Sequence, residues 1–182
     1  KVDSDLLSYQ GPFGVGYAIA SFKVLGHDEN RHFDQIYLQN EMERVKSLKE
    51  EEDQYVRLAR QTLESYVINH KLIERPDDLI KELVEKKAGV FVSLKLDGSL
   101  RGCIGTISPT ADNIADEIIQ NAISAGLEDP RFAPVTEDEL LRLVYSVDVL
   151  GHAEKINSID QLNPKEYGVI VSKGRRRGLL LP

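Results

Sequence analysis

Cys103 is the only cysteine among the 182 residues, and it stands in the run Leu100-Arg101-Gly102-Cys103-Ile104-Gly105-Thr106. A deprotonated thiol is a nucleophile and a soft metal ligand, and a guanidinium close by favours the thiolate. Arg101 lies two positions away, so on a strand with alternating side chains the two share one side of the sheet. Gly102 and Gly105 would weaken that strand unless another backbone or a ligand must come close. The competing reading of Cys103 is a small buried hydrophobe, the usual fate of a lone cysteine. Asp129 and Arg131, in Asp129-Pro130-Arg131-Phe132-Ala133-Pro134, add a carboxylate and a second guanidinium. Two arginines and a thiol suit a small anionic molecule, because arginine presents a planar fork to carboxylate or phosphate. Asp129 has an equally good structural use, accepting from the amides of its own turn with Arg131 as ionic partner. Nucleophilic catalysis would also need a base. His152, just after a strand ending at Leu150, is the nearest candidate, though a loop histidine is usually only solvated.

Other residue groups offer less chemistry. His27, His32 and His70 lack paired ligand spacing, and one cysteine cannot build a multi-cysteine zinc site, so no metal site is expected and no cofactor is indicated. Gly14 and Gly16 lack the third glycine and the following helix of a dinucleotide loop. Arg175-Arg176-Arg177 sits at a turn without an aromatic platform for bases. The net charge of −7, from 23 Lys and Arg against 30 Asp and Glu, opposes a general grip on phosphate backbones and leaves RNA binding the least favoured class. No run approaches the roughly 20 apolar residues of a membrane span. The chain opens without a basic-then-apolar leader, and its cysteine usage fits a reducing compartment, so a cytoplasmic location is expected. With 41% hydrophobic and 29% charged residues, one domain with appendages is the default. The start at Lys1 without Met and the stop after an apolar run lead us to expect a fragment of a longer polypeptide.

The elements that must carry these residues can be read from periodicity and turn chemistry. Phe13, Val15, Tyr17 and Ile19 alternate with small residues, which predicts a strand without an obvious partner. Leu25 to Arg31 reads as a solvated connection, and Phe33 to about Lys49 as a helical linker. A stronger helix follows the acidic trio Glu50-Glu51-Glu52, with Tyr55, Ala59, Leu63, Tyr66 and Val67 on one face. Pro76 with Asp77 or Asp78 predicts a short helix through Leu83, ended by Gly89. Asp97-Gly98 between two β-rich runs is a strong hairpin signal. Thr110 or Asp112 is expected to cap a helix that buries Ile114, Ile118, Ala122 and Ala125. Thr136-Glu137-Asp138-Glu139 reads as a capping box, and Leu143 to Leu150 as a half-buried strand. A small helix around Ile159 and a second hairpin from Gly168 to Leu181 close the chain. That hairpin echoes the first, with Arg177-Gly178 placed like Arg101-Gly102; shared hairpin geometry explains the echo better than a true repeat.

Three blocks, Leu100 to Thr106, Asn121-Ala122-Ile123-Ser124-Ala125 with Asp129 to Val135, and Gly174 to Pro182, together resemble the AMMECR domain family over about residues 53–182. The resemblance implies an α+β fold: a two-lobed domain with a mixed or antiparallel sheet flanked by helices, preceded by an N-terminal strand and a helical linker. It also implies a cleft carrying the Arg-Gly-Cys motif. Within that cleft Cys103 is the candidate catalytic residue, and Arg101, Gly102, Gly105, Asp129 and Arg131 are the candidate ligand-binding residues. The family carries no established reaction. Ser8 to Ala20 resembles the closing strand of a Memo-type domain, a relative of the LigB extradiol dioxygenases. Domains of that type occur fused to, or encoded beside, AMMECR domains and a radical S-adenosylmethionine protein, which makes these the implied partners. The implied organisation is residues 1–25 as the tail of a Memo/LigB-like domain, 26–50 as a partly helical linker, and 51–182 as an AMMECR-type domain that is C-terminally incomplete. Two functions are carried forward: a cleft that binds or acts on a small anionic ligand, and a non-catalytic scaffold for those partners.

Overall fold

The computed structural model describes residues 2–11, 16–26, 31–163 and 166–180. Two antiparallel strands open it, β1 (Val2–Gln10) and β2 (Tyr17–Val24). Phe13, Gly14 and Val15, the start of the expected strand, lie outside the described residues. The described strand begins at Tyr17 and does have a partner, β1, where none was obvious from the sequence. The signal was masked because Leu6 pairs with Ala20 and Ser8 with Ile19, leaving Leu7 as a bulge that breaks the alternation. With this register Val2, Leu6, Tyr9, Ala20, Phe22 and Val24 share one face, while Asp3, Asp5, Ser21 and Lys23 share the other. Every described residue of both strands is exposed.

Helix α1 (Phe33–Glu51) follows where a helix was expected, with Val45 its buried residue. Asp53, not the acidic trio, starts α2 (Gln54–Asn69): its carboxylate accepts the Val56 amide at 2.9 Å. Glu52 has a different task and pairs with Arg60. The buried face of α2 is Leu58, Ala59, Thr62 and Leu63, a slight rotation from the expected stripe. Helix α3 (Lys81–Glu85) starts later than Pro76-Asp77-Asp78 predicted, because the Ile80 amide is taken by Gln54 Oε1 of α2 at 2.8 Å. A tertiary contact replaces the local cap.

Strands β3 (Val90–Leu96) and β4 (Ser99–Gly105) form the expected hairpin, with Asp97 (φ 50°) and Gly98 (φ 80°) both left-handed at its tip. Helix α4 (Ile114–Leu127) is capped by Asn113, whose side chain accepts the Asp116 amide at 2.9 Å. The two expected caps are engaged elsewhere, Thr110 with Glu117 and Asp112 with Lys87. The capping box at Thr136 forms and opens a single 3-10 turn, Glu137–Glu139. Strand β5 (Leu143–Val149) then pairs with β3, giving an antiparallel sheet of order β4-β3-β5. A 3-10 turn at Ile159–Gln161 and the hairpin of β6 (Val169–Lys173) and β7 (Arg176–Leu180) complete the fold. The architecture is α+β, as the resemblance implied.

The core lies between one face of the three-stranded sheet and helices α2 and α4. Val90, Val92 and Leu94 of β3 meet Leu58, Leu63, Ile118 and Ala122, all essentially solvent-free. Fully burying an aliphatic side chain is worth about 1.5–3 kcal/mol, so this layer dominates stability. Phe91, Ser93 and Lys95 face the opposite way and are half-buried or exposed.

Candidate functional site

Gly102 explains how β4 reaches its place. A Cβ there would collide with the Ala125 carbonyl oxygen of α4, so the tight approach anticipated at this glycine is between two backbones. At Gly105 a Cβ would run into the Phe91 ring and the Val90 carbonyl. Gly178, the counterpart in the second hairpin, has open space around it, so the echo between the hairpins reflects shared turn geometry.

Leu94 pairs with Gly102 and Lys95 with Leu100, which leaves Arg101 as a bulge residue without a cross-strand partner. A bulge re-aims the side chain it carries. The expectation that Arg101 primes the thiol is therefore corrected. Its guanidinium binds Glu139 through two bonds of 2.7 and 2.9 Å and donates to the carbonyls of Ala133 and Pro134. Both members of this pair are 14% exposed, and Glu139's carboxyl is held below its usual range, chiefly by Arg101. Arg101 thus ties the loop after α4 to the sheet.

Arg131 is the arginine that stands beside Cys103. Cys103 turns its backbone outward from the sheet: its N–H donates to Asp129 Oδ2 at 2.9 Å, and its carbonyl accepts from Arg131 Nη2 at 3.0 Å. Asp129 and Arg131 also pair with each other, with bonds of 2.9 and 2.8 Å, so a side-chain ion pair occupies this rung of the β4 edge where another strand would bind. Asp129 also accepts the Arg131 amide at 3.1 Å, the turn role that its residue type allowed. Its carboxyl is held well below the usual carboxylate range by the Arg131 guanidinium, with the Cys103 and Arg131 amides adding to the effect against the opposing cost of burial. The carboxylate side chain is 2% exposed and the guanidinium side chain 54% exposed.

Cys103 itself is half-buried, neither a core residue nor a surface one. Its Sγ lies 3.2 Å from Oγ of Ser93, its cross-strand neighbour, a residue that sequence reasoning did not single out. The pairing register of the Asp97-Gly98 hairpin was the available signal. His152 is in the exposed segment after β5. Among the described residues no group of three His, Cys, Asp or Glu side chains is arranged to hold a metal ion.

A second polar centre supports this region from behind. Glu117, in the first turn of α4 and 1% exposed, accepts from Thr106 Oγ1 at 2.6 Å, Thr110 Oγ1 at 2.8 Å, and the amides of Thr110 and Ala111 at 2.8 and 2.7 Å. Burial works to raise its pKa, and these bonds outweigh it and hold it low. The loop leaving β4 is thereby fastened to α4. Asn121 adds a bond from its side chain to the Val90 carbonyl at 3.0 Å.

Known proteins are similar to this chain over most of its length. A protein from Clostridium acetobutylicum is 48% identical over the whole of this chain, which spans 38% of that relative's length. A Thermotoga maritima protein is 53% identical over 72% of the chain and 76% of its own length. The crystal structure of an uncharacterised protein from Pyrococcus horikoshii superposes with a TM-score of 0.61 at 40% identity, covering 70% of this chain and 66% of that one. No described helix is long and apolar enough to cross a membrane. The AMMECR1 family model matches residues 56–182, which contain β3, β4, α4 and the Asp129–Arg131 turn, and the chain belongs to the AMMECR1 family.

Proposed function

We propose that this domain binds a small anionic molecule at the outer rim of β4, with Arg131 as its anchor and Cys103 as the group on which any chemistry would turn. One observation carries the reading: a guanidinium held in place by a buried carboxylate presents a largely exposed surface beside a half-buried thiol. Its Nε and Nη2 are engaged, and its Nη1 makes no hydrogen bond among the described residues. The N–H bonds left on Nη1 can meet an oxygen of a carboxylate or phosphate, with charge assistance from the guanidinium. Asp129 orients the guanidinium, Gly102 and Gly105 let the strand lie where it does, and Arg101 sets the margin by holding the 133–139 loop. The test is alkylation of Cys103 by iodoacetamide with and without inorganic phosphate or citrate. Protection of the wild-type thiol that is lost in Arg131→Ala supports the site; alkylation that neither anion slows overturns it.

A second reading rests on a different observation. The β1–β2 hairpin exposes an apolar face, and this whole chain aligns within a longer clostridial relative. In this reading residues 1–25 close a Memo/LigB-type domain in a cytoplasmic polypeptide, and the AMMECR-type domain is an accessory to it and to a radical S-adenosylmethionine partner. An isolated two-stranded hairpin is marginally stable in water. Its amides should therefore exchange rapidly in the 182-residue chain and slowly in a polypeptide that includes the upstream domain. Rapid exchange in both would reject the reading.

A further inference from the structure

Segment 133–140 joins the β4 rim to helix α1, and it is held from both sides. At its start Arg101 of β4 donates to the carbonyls of Ala133 and Pro134, and near its end the same guanidinium binds Glu139. One residue further, the Leu140 carbonyl accepts from the Lys49 ammonium of α1 at 3.2 Å. Lys49 also binds Glu64 of α2 at 2.7 Å, which fixes the ammonium in place. Between these grips Val135 and Leu140 are buried, and the capping box of Thr136 and Glu139 closes the 3-10 turn. The segment is therefore a stiff piece, and a displacement at Leu140 is felt at Ala133. Arg131 stands two residues before Ala133 and, with Asp129, holds the backbone of Cys103.

Helix α1 is seated much less firmly than the elements it touches. Val45 is its buried residue, and every residue from 33 to 40 is exposed. An element with few buried apolar contacts opens locally at low cost compared with the core. The rest of its attachment is the ionic group of Lys49, Glu52, Arg60 and Glu64. Two arrangements are thereby available to α1: seated, with Lys49 on Leu140, and released, with that carbonyl given up to water. Lys49 precedes the family-matched region, which begins at residue 56, so the tie is an addition to the family fold.

We propose that α1 is a releasable clamp on the β4 rim. Seated, it holds segment 133–140 through Lys49 and keeps Arg131 aligned beside Cys103. Released, it lets that segment loosen, so that Arg131 loses its fixed orientation and the thiol becomes easier to reach. The proposal rests on the reading of the rim as an anion site and adds its regulation. Coupling between two sites is reciprocal, so an anion at Arg131 also favours the seated helix. Lys49 is a positioning residue in this scheme and acts on the rim through Leu140.

Lys49→Met keeps most of the side-chain stem and removes the charge, while Lys49→Arg restores a donor. In the full 182-residue chain, alkylation of Cys103 by iodoacetamide is expected to be about two- to fivefold faster in Lys49→Met, the scale of a partly exposed ionic contact, and to return towards the wild-type rate in Lys49→Arg. Inorganic phosphate should protect the thiol of Lys49→Met less well by a similar factor. In wild type, phosphate should slow amide exchange around Val45, the reciprocal effect. Equal alkylation rates and equal phosphate protection in wild type and Lys49→Met overturn the clamp, and the anion site still stands if phosphate protects both. Faster exchange spread evenly over the whole domain of Lys49→Met, rather than over α1 and segment 133–140, marks general destabilisation and also overturns it. If phosphate protects neither protein the anion reading fails, and a Lys49→Met rate that rises and is rescued by Lys49→Arg supports the clamp on its own.

Discussion

Asp129 joins a strand edge, a turn and an arginine through one carboxylate, and its ionisation should therefore be visible in stability. Its pKa is depressed by folding, so its contribution is complete above the unfolded value of about 3.9 and is lost as pH falls from there towards the folded value. Asp129→Asn should cost about 1–2 kcal/mol near neutral pH, after allowance for solvent screening of the exposed Arg131. The variant should also lose less stability than wild type below about pH 4. Urea denaturation at several pH values measures both effects. Glu117 makes a sharper case because all four of its partners are donors. Glu117→Gln keeps the shape but points an amide NH2 at some of those donors. A loss of roughly 2–3 kcal/mol, seen as a lower denaturation midpoint with unchanged slope, is the expected result.

At the scale of elements, the contact between β4 and α4 depends on a missing side chain. Gly102→Ala would force the Ala125 carbonyl away and separate strand from helix, at about 1–3 kcal/mol by analogy with overpacked cores. Thermal denaturation checks the loss, and faster amide exchange in the second half of α4 would locate it. The same region shows what the sequence could and could not reveal. The hairpin at Asp97-Gly98, the buried stripe of α4, the capping box at Thr136 and strand β5 were legible, because each is written in local periodicity or turn chemistry. Three helix starts or caps were not. Asp53, Ile80 and Asn113 hold those places because Glu52, Gln54, Thr110 and Asp112 are engaged by residues distant in sequence or by other tasks. Of the candidate site, the two blocks that meet were legible and their geometry was not. The blocks around Cys103 and Asp129 do meet, yet a single bulge exchanged the expected neighbours, sending Arg101 to Glu139 and leaving Arg131 beside the thiol. Period-two alternation cannot anticipate a bulge, because the register depends on the partner strand.

For the whole molecule, the joint between α1 and the family domain is ionic. Glu52, 6% exposed at its side chain, pairs with Arg60, which also binds Glu64, and Glu64 in turn holds Lys49. Arg60→Ala would leave a buried carboxylate unpaired, which typically costs about 3–5 kcal/mol. Partial escape, by turning α1 so that Glu52 reaches water, is the cheaper response. The expected outcome is a moderate fall in melting temperature together with loss of the α1-to-β5 nuclear Overhauser contacts around Val45. Full retention of those contacts would show that apolar packing alone fixes the helix.

The ion pair of Asp129 and Arg131 has a consequence for the folded population as a whole. By occupying the amide and carbonyl that β4 turns outward at Cys103, it denies an incoming chain the first rung of a new ladder. Without that seal the rim would become a template on which extended segments of neighbouring molecules could stack into fibrils.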